Sequence, residues 1–279
     1  MYLPNGFEKG KAIELGNLIL AAYEQLAFFE DEMPWGLSND YKLVTELKYP
    51  LGKTGNVNGI NFDIDVKRQL TIKKKNNAEM PIGFIARRAN DVFIVFRGTK
   101  TAKEWIKNFN MGLTDYLVSD YGEVHDGFLQ TYSFARDSII EGLKVLEEKT
   151  RVFVTGHSLG AALATLAAPD IENNMVRKIN GIYTFGSPRV GNAKFSISYN
   201  KEFGKKSFRI ANSSDLVTSI PLPVPLIGFI GGYFSHVDNQ VCFNIQENDS
   251  EKNHAMKTYI SEIMNAENRN GILQKIFCR

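Results

Sequence analysis

Cysteine is scarce in this chain, with Cys242 and Cys278 the only two among 279 residues. That excludes a scaffold built on disulfides. Two free thiols are the expectation, and one bridge tying the C-terminus to a late strand is the alternative. Net charge is nearly absent too: 33 basic and 31 acidic residues leave +2, which removes any electrostatic reason to expect nucleic acid as a partner. The run Lys73-Lys74-Lys75 reads as a solvated hairpin tip. Uninterrupted apolar runs are also missing. The longest candidate, Ile220 to Phe234, carries three prolines and three glycines, which excludes a spanning helix. It is either a buried loop under the sheet edge or an exposed apolar wall. The first residues, Met1 to Glu8, lack the basic-then-apolar order of a signal peptide. Localisation therefore stays open between cytoplasmic as read and secreted if this is a mature form. No internal repeat or linker stands out.

What is present is enough apolar sequence, 43%, to bury a full core in a single domain over residues 1–279. Residues 11–30 carry apolar side chains at helical spacing (Ile13, Leu15, Leu18, Ile19, Ala22, Leu26, Phe29). Residues 40–50 have strand character, and 51–78 read as irregular with one short edge strand. Ile82 to Ala86 and Val92 to Phe96, separated by the polar residues 87–91, read as a hairpin. A long helix is expected over 126–149. Strands follow at 151–155, 179–185, 207–211 and 240–245, alternating with helices at 159–168, 192–203 and 253–266. That alternation predicts an α/β fold with a mostly parallel sheet covered on both faces. Reactive groups then belong on loops after the carboxyl ends of strands.

Gly156-His157-Ser158-Leu159-Gly160 is the most informative stretch. It joins an apolar β-branched run to the small-residue run Ala161 to Ala168. A serine on so sharp a strand-to-helix turn takes a strained backbone, and side chains two positions away on either side would clash. The turn exposes the Ser158 hydroxyl and aims the first helical amides, beginning with Leu159, at charge forming beside it.

A serine hydroxyl needs a base, and the base needs a carboxylate. Only four histidines compete. His157 is adjacent to the serine and reads as packing under the turn, while His125 lies upstream of it. His236 precedes a strand. His254 follows one, on the loop 246–253 before the last helix, and is the preferred base. Asp215 comes directly after the 207–211 strand, between Ser158 and His254, and is the preferred acid; its alternative role is to cap its own loop. Asp170, Asp238 and Asp249 are less well placed. A second oxyanion donor is sought after an earlier strand, where Gly98 lets the backbone turn and Thr99 offers its amide and hydroxyl.

Six segments then coincide in order: Val95-Phe-Arg-Gly-Thr99, Val124-His-Asp-Gly-Phe128, Gly156 to Ala164, Thr184-Phe-Gly-Ser-Pro-Arg-Val-Gly-Asn192, Asp215 to Pro221, and His254 near Tyr259. In these the chain resembles the class 3, fungal-type triacylglycerol lipases of the α/β-hydrolase fold. The resemblance implies a mostly parallel central sheet with helices on both faces and a short helical lid. It implies nucleophile Ser158, acid Asp215, base His254 and oxyanion donors Thr99 and Leu159. It also places Trp105 in a lid at about 100–110, where the helical spacing lets Trp105, Ile106 and Phe109 make one apolar face over the serine; a separate apolar loop spans about 220–235. A surface helix packed permanently on the body is the other reading of the lid segment. Departures from the fungal pattern are the low cysteine count, the unplaced 51–78 stretch and the very apolar 220–234 stretch.

The reading that follows is a serine ester hydrolase acting on acylglycerols through an acyl-enzyme, with no metal or organic cofactor required. Its partners are a lipid or small ester substrate and, transiently, a lipid interface; oligomeric state is left open. A phospholipase A1 or a feruloyl-type esterase on the same scaffold is the alternative. A lipid-binding protein that has lost catalysis is the remote one.

Overall fold

The computed structural model describes residues 1, 3–31, 35–50, 79–99, 112–221 and 234–266. The apolar strands sort their side chains by strict alternation. In strand β3 (Asp91–Phe96), Val92, Ile94 and Phe96 enter the core on one face of the sheet, and Phe93 and Val95 enter the core on the other. Both faces are buried, so both must be apolar, as sheets flanked by helices require. The main sheet has seven strands. With β1 (Lys42–Pro50), β2 (Glu79–Arg88), β6 (Arg151–His157), β7 (Ile179–Phe185), β9 (Ser207–Asn212) and β11 (Gln240–Phe243), its order is β1-β2-β3-β6-β7-β9-β11. The first three strands pair antiparallel and the remaining pairings are parallel.

Helix α1 (Lys9–Asp31) lays Ala12, Leu15, Ile19 and Ala22 on one face of the sheet, together with α6 (Met256–Asn265). Helices α2 (Asp126–Lys144), α3 (Leu159–Asn174) and α4 (Ala193–Phe203) cover the other face through side chains such as Tyr132, Ile139, Leu163 and Phe195. The result is a three-layer α/β sandwich.

Several boundaries differ from expectation, each for a local reason. Helix α2 stops at Lys144 rather than 149, because the carbonyls of Leu146 and Glu147 turn to the Arg177 guanidinium as the chain enters β6. Helix α3 runs six residues beyond 168, through Pro169, because the next residue, Asp170, is anchored. That buried carboxylate takes a bidentate pair of bonds from Arg136 (2.7 and 3.0 Å) and one from Tyr132 (2.7 Å). Strand β11 ends at Phe243, since the Asn212 side chain takes both the N–H and the C=O of Ile245.

The helix expected at 253–266 is two helices, α5 (Ser250–His254) and α6, broken at Ala255. His254 therefore lies at the end of a short helix, not on a loop. A four-stranded antiparallel sheet, β10-β8-β5-β4, was not foreseen; β4 (Leu113–Asp115), β5 (Glu123–His125), β8 (Gly191–Asn192) and β10 (Phe234–Ser235) are too short for any periodicity to register. Cys242 is disulfide-bonded rather than a free thiol, which overturns that expectation; Cys278 lies outside the described residues. So do 51–78, most of the 220–235 loop, and the proposed lid with Trp105, Ile106 and Phe109. Among the described residues, no helix is long and apolar enough to cross a membrane.

Candidate active site

The turn after β6 has the strained geometry expected of it. Ser158 sits at φ 58°, ψ −126°, a region that a residue with a Cβ rarely occupies. Close packing forces the flanking glycines: a Cβ at Gly156 would lie 2.0 Å from the carbonyl oxygen of Gly160, and one at Gly160 would lie 2.5 Å from those of Phe96 and Arg97. The carbonyl of Phe185, at the end of the neighbouring β7, accepts the Ser158 N–H (3.0 Å). Leu159 opens α3, so its amide is among those without an intrahelical acceptor.

Asp215 follows β9 and divides its two oxygens. Oδ1 accepts the Val217 N–H (2.9 Å) and caps the 3-10 turn Leu216–Ser219. Oδ2 accepts from His254 Nδ1 (2.6 Å) and from the Tyr259 hydroxyl (2.6 Å). The capping role and the acid role therefore coexist in one carboxylate. Because that oxygen only accepts, Nδ1 of His254 holds the proton and Nε2 presents its lone pair. Burial, reinforced by Asp215, raises the Tyr259 phenol well above its usual pKa, so it remains a donor.

Three buried polar side-chain atoms here have no hydrogen-bond partner: Ser158 Oγ, His254 Nε2 and Thr99 Oγ1. Buried polar groups are nearly always paired, and the exceptions concentrate where chemistry is done. The three belong to residues placed side by side. A Cβ at Gly98, next to Thr99, would approach Ser158 Cβ to 2.7 Å, and the His157 and His254 rings lie 4.5 Å apart between centroids, tilted by 33°. A buried hydroxyl, an imidazole whose Nδ1 faces a carboxylate, and a set of amides at a helix start are the kinds of group that acyl transfer requires.

The other histidines are occupied elsewhere. His125 caps α2 by accepting the Phe128 N–H (3.2 Å) and is fully buried. His157 does more than pack: its Nδ1 bonds the Tyr23 hydroxyl (2.7 Å) and its Nε2 the carbonyl of His254 (2.8 Å). His236 bonds the Thr218 carbonyl (2.7 Å). Sequence reasoning missed Tyr23 and the supporting role of Tyr259. A tyrosine within the buried stripe of α1 was the available signal, since its hydroxyl must find a partner.

Residues 93–224 match the family described as Lipase (class 3). Over that segment, a little under half of its length, the chain is similar to the class 3 lipases. A phospholipase A(1) of Arabidopsis thaliana, DAD1, is 39% identical over 151 residues, covering 47% of this chain and 34% of that protein. The secreted mono- and diacylglycerol lipase 1 of Fusarium solani is 34% identical over 135 residues, covering 47% and 39%. The matches thus span well under half the length of these two relatives. The Rhizomucor miehei lipase propeptide complex superposes with a TM-score of 0.59 at 24% identity, over 85% of this chain and 69% of that one. The chain accordingly has the α/β-hydrolase fold.

Two histidines give this protein a pH-dependent stability. Burial, with Arg209 and Arg189 nearby, pushes His236 down to about 2, and burial beside His254 holds His157 well below its ordinary value. Unfolded, each takes up a proton near pH 6.5. The folded value is the lower one, so the contribution is complete above that pH and is lost as pH falls. The slope is at most about 1.4 kcal/mol per pH unit for each. His236→Gln is expected to reduce the fall in stability between pH 6.5 and 4.5 toward that extent, read from urea midpoints. An unchanged slope would remove His236 from the account.

Proposed function

We propose that this chain is a serine carboxylic-ester hydrolase that cleaves acylglycerols. The observation that carries the reading is that Ser158 Oγ and His254 Nε2 are both buried without a hydrogen-bond partner, while Asp215 Oδ2 holds the far side of the imidazole at 2.6 Å. His254 takes the Ser158 proton as Oγ attacks the ester carbonyl. The amides of Thr99 and Leu159 hold the oxyanion. Collapse expels the alcohol, which receives the proton from His254, and water activated by the same base releases the acid. Each step uses side chains and backbone of this chain alone.

The substrate is a lipid ester, met transiently at a lipid interface, where the Trp105, Ile106 and Phe109 segment supplies the apolar contact. Phospholipid is the second reading, favoured by the 39% identity to a phospholipase A(1). The bonded state of Cys242 supports an oxidising compartment outside the cytoplasm. Alkylation under non-reducing conditions is expected to leave Cys242 unmodified in protein taken from its native source.

The decisive experiment is a rate profile over p-nitrophenyl esters from C2 to C16, run beside emulsified triglyceride and phosphatidylcholine vesicles, with fluorophosphonate labelling mapped by mass spectrometry. Stoichiometric labelling at Ser158 and a rate jump on emulsion are expected. A jump on vesicles alone would assign a phospholipase, and preference for short soluble esters an esterase. Folded protein that neither labels nor hydrolyses would leave only a lipid-binding role.

A further inference from the structure

The strand β3 exit is held from both sides by groups that the reaction does not itself consume. Tyr23, on α1, accepts the N–H of Gly98 at its hydroxyl (3.0 Å). Arg97 donates Nη1 to the carbonyl of the same glycine (2.7 Å) and is anchored by Nε on the Pro81 carbonyl (2.9 Å). The Gly98 carbonyl belongs to the peptide unit whose N–H is the amide of Thr99. There is no room for slack, since a Cβ on Gly98 would meet the Tyr23 hydroxyl at 2.6 Å and Ser158 Cβ at 2.7 Å.

The protons in this network can be placed. The His254 carbonyl only accepts, so His157 Nε2 carries a hydrogen. Burial keeps that imidazole neutral, so Nδ1 accepts and the Tyr23 hydroxyl donates to it. Donation therefore runs one way, from Gly98 N–H through Tyr23 and His157 to the backbone of His254. The break at Ala255 between α5 and α6 coincides with this use of the His254 carbonyl. Bonds in such a chain polarise one another, and a guanidinium on a peptide carbonyl strengthens the donor on the other end of that peptide.

We infer that Tyr23 and Arg97 are positioning residues that preset the Thr99 amide as an oxyanion donor, and that Tyr23 through His157 ties the same loop to the backbone of the base. The inference rests on the ester-hydrolase reading above. It gives α1, remote in sequence from every triad residue, a part in transition-state stabilisation.

Tyr23→Phe is the cleanest test. With active sites titrated by fluorophosphonate, kcat for p-nitrophenyl butyrate is expected to fall about tenfold with KM within twofold, as loss of a transition-state interaction requires. Affinity for a trifluoromethyl ketone, which mimics the tetrahedral oxyanion, is expected to fall by the same factor. Arg97→Met is expected to lose more than Arg97→Lys, which keeps the charge; if Arg97→Met does not fold, Tyr23→Phe decides alone. A purely structural staple would lower the melting temperature and the titrated fraction while leaving kcat per site and ketone affinity unchanged, and that result would overturn the inference. So would a fall in kcat with ketone affinity intact. A wild-type protein that neither labels nor hydrolyses would instead refute the ester-hydrolase reading itself.

Discussion

Ser158→Gly is expected to abolish hydrolysis and to raise the stability of the fold. The loss follows from removing the nucleophile, on the order of 10⁶ in kcat when a triad serine is removed. The gain follows from the backbone. At φ 58°, ψ −126°, a residue with a Cβ pays about 1–3 kcal/mol in strain, and the hydroxyl that Ser158 buries without a partner adds about 1–3 kcal/mol. Glycine removes both and costs about 0.5–1 kcal/mol in unfolded-chain entropy. A net gain of about 1–5 kcal/mol is expected by urea denaturation. Ser158→Ala separates the two terms, because it loses the hydroxyl but keeps the Cβ and the strain. Equal inactivity of the two variants, with glycine the more stable, is the expected pattern. If Ser158→Gly were the less stable, the elbow would not be storing strain, and the flanking glycines would be explained by packing alone.

That strain was legible in the sequence because its cause is local. Two glycines bracketing a serine between a β-branched run and an alanine-rich run admit few backbones, and the distances of 2.0 and 2.5 Å from hypothetical Cβ atoms show why. The parallel sheet was legible for a similar reason: strands buried on both faces need apolar centres, and Val92 to Phe96 in β3 and Val152 to Val154 in β6 supply them. Asp215 and His254 could be ranked by chain order and by the rule that sites follow strands, although the reason His254 ends a five-residue helix lies elsewhere, in His157. What could not be read depends on contacts between distant segments. Asp170 carries α3 past a proline only because Arg136 and Tyr132 arrive from α2. Tyr23 meets Gly98 across 75 positions. The second sheet is made of strands two or three residues long, whose pairing is set by the chains around them rather than by their own pattern.

Asp215→Asn is expected to lower kcat by about 10⁴ while leaving the fold in place. The reasoning is one of donors and acceptors. Asp215 accepts on both oxygens, from Val217 N–H on one and from His254 Nδ1 and the Tyr259 hydroxyl on the other. Asparagine offers one acceptor and one amino group. With the amino group toward His254, it donates to Nδ1 and moves the imidazole proton to Nε2, the atom that must receive the proton of Ser158; it also faces the Tyr259 hydroxyl donor to donor. With the amino group toward Val217, the tautomer is kept, but two N–H groups oppose each other at the cap of the 3-10 turn. Neither orientation satisfies all three donors. Tyr259→Phe added to Asp215→Asn relieves only the hydroxyl conflict, so it is expected to restore stability more than rate. If Asp215→Asn alone retained a tenth or more of wild-type kcat, with Ser158 still labelled by fluorophosphonate, Asp215 would be a loop cap and the tautomer of His254 would be set by another group.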